Sequence, residues 1–118
     1  MNHKKNTKQF KRTTEERKRL WIDLSSALIL NGQIMTFTAR AKWFSPKFQR
    51  LVTLVKRSEG DVQLAYRKVR PFLSEKVARK LIEEVVPKLK ERNGGYVSIL
   101  KYNEPFSEHQ KSIVTIVK

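Results

Sequence analysis

A first helix is predicted near the start of the chain by residues that recur three and four positions apart. The stretch "RTTEER" has the form of a helix beginning, because Thr13 as N-cap and Glu16 three residues later make a capping box. The apolar side that follows contains Leu20, Trp21, Ile22, Leu24, Ala27, Leu28 and Asn31 at helical spacing. We therefore predict a helix from about Thr14 to Leu30 that Gly32 ends.

A strand and a second helix are predicted next. The short stretch "QIMTF" is rich in β-branched and aromatic residues, which favour a strand. From Thr38 the helical period returns, with the apolar stripe Phe44, Phe48, Leu51, Val52 and Val55, and with Lys42, Arg50, Lys56 and Arg57 on the other side. Pro46 leaves two alternatives open, since it either kinks this helix or begins a helix capped by Ser45.

The second half of the chain is predicted to contain two more helices and a hairpin. After the turn "SEGD", "VQLAYRKVR" reads as a short helix, and Ser74 caps a fourth helix that ends at Pro87 and the "NGG" turn, where a glycine C-cap is expected. The stretches "YVSILKY" and "SIVTIV" alternate as two strands on either side of the polar loop "NEPFSEHQK".

This element order predicts an α+β fold. Helix, strand, three helices and two strands suggest a small, roughly three-stranded mixed sheet covered by helices on one face. A chain of 118 residues is long enough for one core, so we expect a single globular domain over residues 13–118. Residues 1–12 form a basic N-terminal tail with almost no apolar surface, which is expected to be disordered when the protein is free.

The charge distribution indicates a polyanionic partner. The net charge is +15, and residues 1–58 hold 14 basic and 3 acidic side chains against 12 and 8 in residues 59–118. No acid lies between Asp23 and Glu59, where six cations fall: Arg40, Lys42, Lys47, Arg50, Lys56 and Arg57. Because this much like charge disfavours a compact state, a nucleic acid that relieves the repulsion is the first expectation, with a membrane surface second.

Several classes of function are disfavoured by what the chain contains. There is no cysteine, so no disulfide or thiolate metal site is expected. The two histidines, His3 and His109, have no neighbouring pattern of a nucleophile or metal ligands, and Glu83 and Glu84 diverge by about 100° on a helix. We predict a protein that is not an enzyme and has no metal, cofactor or small-molecule substrate, and no bilayer span is expected.

Two short stretches and the tail are similar to a known family. The His-x-Lys start of the tail matches at His3 and Lys5, and "TFTARAK" resembles a strand-to-helix junction of the family at Arg40 and Lys42. The stretch "GGYVSILK" is similar to a Gly-Gly-Tyr-x-Arg-Ile-Leu-Lys signature, with Ser98 in the place of the arginine. Over essentially its whole length, the chain resembles the bacterial large-subunit ribosomal protein seventeen family.

The resemblance implies a role as a structural constituent of the large ribosomal subunit, close to the exit of the peptide tunnel. It implies large-subunit rRNA and neighbouring large-subunit ribosomal proteins as partners, with the tail inserted among rRNA helices. Since the family's start pattern follows Met1 directly, no transit peptide is expected, and a bacterial cytoplasm fits best.

The expected RNA-binding residues combine the tail with the folded part. Cations of the tail would neutralise phosphates, His3 would hydrogen-bond or stack, and Arg40 and Lys42 would orient the domain. The full set is His3, Lys4, Lys5, Lys8, Lys11, Arg12, Arg17, Arg40, Lys42, Arg50 and Lys101.

Two other functions are weaker alternatives. A sequence-specific DNA-binding protein would concentrate its basic residues on one recognition helix, whereas here they are dispersed. A membrane-surface protein would need a large apolar face on its basic segment, and the tail offers only Phe10.

Deletion of residues 2–12 is expected to leave the fold intact, because this segment contributes almost no apolar surface to a core. Thermal unfolding of the truncated and full-length chains should give nearly equal midpoints. A large fall in the midpoint would show that the tail is part of the folded domain.

Overall fold

The computed structural model describes residues 13–102 and 110–117 and begins with the long helix α1, Thr14–Asn31. The Glu16 N–H donates to Thr13 Oγ1 at 3.2 Å, which confirms the predicted N-cap. At the other end Gly32 has φ 80° and its N–H donates to the Leu28 carbonyl at 2.8 Å. A left-handed residue of this kind ends a helix with little strain only when it lacks Cβ.

Strand β1, Gln33–Phe37, leads directly into helix α2, Thr38–Lys56. Pro46 lies inside α2, so the alternative in which Ser45 caps a helix beginning at Pro46 is wrong. Ser45 is buried instead, and its Oγ donates to the Ala41 carbonyl one turn earlier at 2.6 Å. The stretch from Gln33 to Lys56 therefore forms a strand and a helix without an intervening loop.

The next helices are α3, Val62–Val69, and α4, Glu75–Lys80. The Asp61 carboxylate caps α3 by accepting the Leu64 N–H at 3.1 Å, whereas Ser74 occupies the cap position of α4 without a side-chain hydrogen bond. The chain continues from α4 through the π-helical segment Leu81–Val85 into the short helix α5, Val86–Lys88. This wider segment directly precedes Pro87, whose ring clashes with the carbonyl four residues earlier in a regular α-helix.

The glycines of the "NGG" turn do not cap a helix, contrary to expectation. Helix α5 ends at Lys88, several residues before Gly94, and Leu89 is its C-cap. Gly95 has φ 60° and lies in the turn that leads into the next strand. The left-handed backbone of Gly95 therefore belongs to the turn that precedes β2 and does not end a helix.

The sheet contains β1 together with β2, Val97–Tyr102, and β3, Lys111–Ile116. Its order is β1-β3-β2, and both pairs are antiparallel. The predicted hairpin is therefore confirmed, but the sheet is not mixed. Because β3 is central, it pairs with a strand from the first third of the chain on one side and with its hairpin partner on the other.

The helices cover one face of the sheet. The buried side chains of this face include Val114 of β3, and Ile34 and Ile99 of the flanking strands pack against the same core. The largest buried side chains outside the sheet are Phe44, Phe48, Leu28, Ile29, Leu51, Leu81 and Leu89. The predicted α+β fold with helices on one face is confirmed. Within the described residues, no helix combines the length and hydropathy that a membrane crossing requires.

Two buried serines in this core are expected to respond differently to replacement by alanine. Among the described residues, Ser25 Oγ has no hydrogen-bond partner, whereas Ser45 Oγ donates to a carbonyl. An unsatisfied buried hydroxyl costs about 1–3 kcal/mol, and alanine favours a helix more than serine does. Ser25→Ala should therefore raise the free energy of unfolding by about 1 kcal/mol, and Ser45→Ala should not raise it. Urea unfolding measures both, and a loss of stability in Ser25→Ala would show that its hydroxyl has a partner.

Candidate nucleic-acid interface

Helix α2 separates apolar and basic side chains onto two sides. At 100° per residue, its buried side chains Ala41, Phe44, Ser45, Phe48, Leu51, Val52 and Val55 fall within about one third of the helix circumference. Lys42 and Arg50 project from the opposite side, the C-cap residue Arg57 falls on that side as well, and all three are exposed. At 1.5 Å per residue, these three cations extend over about 22 Å along the helix axis. We name these three residues the α2 basic row.

No acidic side chain of the helix offsets this row. Helix α2 contains neither aspartate nor glutamate over its 19 residues. The ion pair of α4, Arg79 with Glu75 at 3.5 Å between Arg79 Nη2 and Glu75 Oε1, lies outside this helix. The row therefore presents its charge to solvent, where a polyanion can reach it.

The first turn of α2 is tied to the sheet and positions Arg40. Thr38 Oγ1 and Ser112 Oγ of β3 are 2.8 Å apart, and the Thr38 N–H donates to the Gln110 carbonyl at 3.0 Å. The Arg40 guanidinium lies 5.4 Å from the centre of the Phe37 ring, within the range of a cation–π contact. Arg40 is half-buried and lies about 160° from Lys42 around the helix, so it does not belong to the row.

Lys56 does not belong to the solvent side of α2, contrary to the sequence prediction. Its ammonium donates to the Leu89 carbonyl at 3.2 Å, to the Arg92 carbonyl and to Tyr96 Oη at 3.3 Å. It also lies 5.0 Å from the centre of the Tyr96 ring. Lys56 therefore joins the end of α2 to the segment between α5 and β2. Its ammonium group binds atoms of the protein instead of projecting into solvent.

The other predicted site residues are dispersed. Arg17, in the first turn of α1, donates to Thr14 Oγ1 at 3.2 Å, and Lys101 is exposed on the edge strand β2, opposite Ser112. The structure brings Lys42 and Arg50 onto one side of α2, but it does not bring Arg17, Arg40 or Lys101 into that row. The predicted tail residues His3, Lys4, Lys5, Lys8, Lys11 and Arg12 lie outside the described residues.

Trp43 packs against the core at the boundary between the two sides of α2. It is half-buried, and Lys47 Nζ lies 5.2 Å from the centre of its ring. A neighbouring cation strengthens a partly exposed indole contact without removing the ring from the core. The structure therefore assigns most of Trp43 to packing.

A second group of cations, which the sequence did not single out, borders a cavity of about 680 Å³ between α3 and α4. Arg67, Arg70 and Arg79 line it, together with Glu83. Arg70 donates to the Leu73 carbonyl at 2.9 Å, and Arg79 pairs with Glu75. Arg70 and Arg79 thus have partners within the protein, whereas Arg67 is exposed at the edge of the cavity. The spacing of Arg67 and Arg70 in the sequence indicates that both lie on one side of α3. Their approach to Arg79 was not predictable, because it depends on how α3 packs on α4.

Comparison with known proteins supports the resemblance found in the sequence. Residues 20–117 match the family described as Ribosomal protein L17. The chain belongs to this family. A relative from Sulfurihydrogenibium sp. (strain YO3AOP1) is 41% identical over 101 residues, which cover 86% of this chain and 82% of the relative. One from Persephonella marina is 41% identical over 106 residues, covering 88% and 83%, and one from Hydrogenobaculum sp. is 33% identical over the full length of both chains. All three bear the name "Large ribosomal subunit protein bL17".

Membership in the ribosomal protein L17 family confirms that the chain is a structural ribosomal protein rather than an enzyme. Within residues 13–102 and 110–117, no three His, Asp or Glu side chains cluster in a way that could hold a metal ion.

Replacing Lys56 by methionine tests its internal role. The change keeps the aliphatic stem but leaves the carbonyls of Leu89 and Arg92 without this donor, so we expect a loss of about 1–2 kcal/mol in the free energy of unfolding. Lys42→Met, on the exposed side of the same helix, should change it by less than about 0.5 kcal/mol. Urea unfolding compares the two variants, and equal effects would refute the internal role of Lys56.

Proposed function

We propose that this protein is a structural constituent of the large ribosomal subunit that binds rRNA through the α2 basic row and its basic N-terminal tail. The observation that carries this proposal is the α2 basic row itself, with three exposed cations on an acid-free helix whose other side is buried. The names of the relatives support the ribosomal setting.

In the proposed mechanism, the row and the tail contact the RNA backbone at two places. Lys42, Arg50 and Arg57 are held on a packed helix, so binding costs little ordering of the backbone. The tail brings five more cations, Lys4, Lys5, Lys8, Lys11 and Arg12, in a segment with almost no apolar surface. Contacts to phosphates fix position and orientation without reading sequence, which suits a structural part of a large RNA. Arg40, in the first turn of α2, would orient the domain on the RNA together with Lys42.

The resemblance to the family supports a finer location. We place the domain near the exit of the peptide tunnel, beside neighbouring large-subunit proteins, with residues 1–12 among rRNA helices. Arg17 and Lys101 would then contact RNA separately from the row, since they lie on α1 and β2.

The salt dependence of rRNA binding tests this function. The logarithm of the association constant falls linearly with the logarithm of the salt concentration. Each phosphate neutralised by a cation makes this negative slope steeper by about 0.7–0.9 units. A triple variant of the full chain carries Lys42→Gln, Arg50→Gln and Arg57→Gln. The slope for its binding to large-subunit rRNA should be shallower than that of the wild-type chain by about 2–3 units. Filter binding over a series of salt concentrations measures it.

A matched control removes the same charge elsewhere. Lys76, Lys88 and Lys90 are exposed on α4, α5 and the turn after it, so their replacement by glutamine changes the net charge equally. We expect the slope of this control to fall by less than about 1 unit. An equal fall in both triple variants would mean that binding depends only on net charge, and tighter binding to duplex DNA of a given sequence would favour the DNA-binding alternative.

A further inference from the structure

The sheet face that the helices leave uncovered carries most of the large exposed apolar side chains of the described residues. Six such side chains are exposed, and four of them lie on this face: Met35 (52%), Phe37 (39%), Leu100 (67%) and Tyr102 (44%). The alternation of the strands explains their position, since Ile34, Ile99 and Val114 on the opposite face point into the core. A cluster of this kind on a monomer indicates a binding surface.

The register orders these side chains into rows across the sheet. Phe37 pairs with Lys111, and Lys111 pairs with Tyr102, so one row holds a cation between two aromatic rings. Because neighbouring strands lie about 4.8 Å apart, the Cα atoms of Phe37 and Tyr102 are separated by roughly 10 Å. The adjacent row is aliphatic and contains Met35, Ile113 and Leu100.

The charges around this face indicate which kind of partner binds it. None of the three strands contains an acidic residue, and Lys111 lies within the face while Arg40 lies 5.4 Å from the centre of the Phe37 ring. A second copy of a chain with net charge +15 would be repelled by this arrangement. An RNA strand satisfies both kinds of side chain, since its bases stack on aromatic rings and its phosphates bind cations.

We propose that the uncovered face is a stacking platform for unpaired nucleotides of RNA. One base stacks on Phe37 and another on Tyr102, the phosphates between them contact Lys111 and Arg40, and the aliphatic row packs against sugars. This inference rests on the proposed function in that it takes RNA as the partner, but it assigns a site on the sheet that is separate from the α2 basic row.

A comparison of two short probes isolates the contribution of the bases. The full-length chain is titrated into fluorescein-labelled U8, and into an abasic strand of the same length and charge, with fluorescence anisotropy as the readout. Stacking is worth at least about fivefold in affinity for each base, and two bases stack, so the wild-type chain should prefer U8 by at least about 25-fold. Phosphate contacts made by the tail or by α2 are common to both probes.

Conservative substitutions test whether a preference for U8 over the abasic strand depends on the rings of Phe37 and Tyr102. Phe37→Leu with Tyr102→Leu keeps the face apolar but removes both rings, and the preference for U8 should fall to nearly one. Tyr102→Phe keeps the ring and should keep the preference. Thermal unfolding of each variant shows whether the domain is folded.

Other results would overturn the inference. Equal affinity of the wild-type chain for the two probes, or a preference that survives in the double leucine variant, would mean that these rings do not stack bases. Normal incorporation of the double leucine variant into large subunits, together with its loss in Leu100→Glu, would identify an apolar protein partner instead. In either case the salt slope of rRNA binding and its dependence on the α2 basic row would still decide the proposed function separately.

Discussion

Burial of the apolar side of α2 is the constraint on which the remaining structure depends. Burying a phenylalanine or leucine side chain contributes about 1.5–3 kcal/mol, and α2 buries Phe44, Phe48 and Leu51 almost completely. Repulsion between exposed cations such as Lys42 and Arg50, about 12 Å apart along the axis, is worth about 0.4 kcal/mol or less in water and is further screened by salt. Burial of the apolar side chains therefore determines how α2 is rotated about its own axis. In this orientation the cations face solvent. In the proposed function, the same rotation gives the RNA partner a surface that is ordered before it binds.

The first turn of α2 is attached to the sheet, and its last turn is attached to the segment that leads into β2. The helix follows β1 without a loop, and Thr38 contacts Ser112 of the central strand. At the last turn Lys56 binds the segment between α5 and β2. Under the two proposals, an RNA long enough to reach both the α2 basic row and the uncovered sheet face would bind more tightly than either surface alone allows.

Features encoded locally were predictable from sequence, and features decided by distant residues were not. The cap at Thr13, the end at Gly32 and the two sides of α2 depend on neighbouring residues, and the structure confirms them. The pairing of β1 with β3 joins residues about 80 positions apart, and its antiparallel sense had no local signal. Lys56 has helical spacing like that of its basic neighbours, but its partners come from 33 to 40 residues later. The uncovered face was missed because all three strands are largely apolar on both faces, so alternation alone does not show which face the helices cover.

The contact between α2 and rRNA is tested most directly by ultraviolet crosslinking of native large ribosomal subunits that contain this chain. Peptides that carry a crosslinked nucleotide are then mapped by mass spectrometry, without any substitution in the protein. Crosslinks within residues 38–57, the segment that contains α2 and its basic row, are the predicted result. Crosslinks confined to residues 62–88, with none in α2, would contradict the account and would assign the RNA-binding surface to the arginines between α3 and α4.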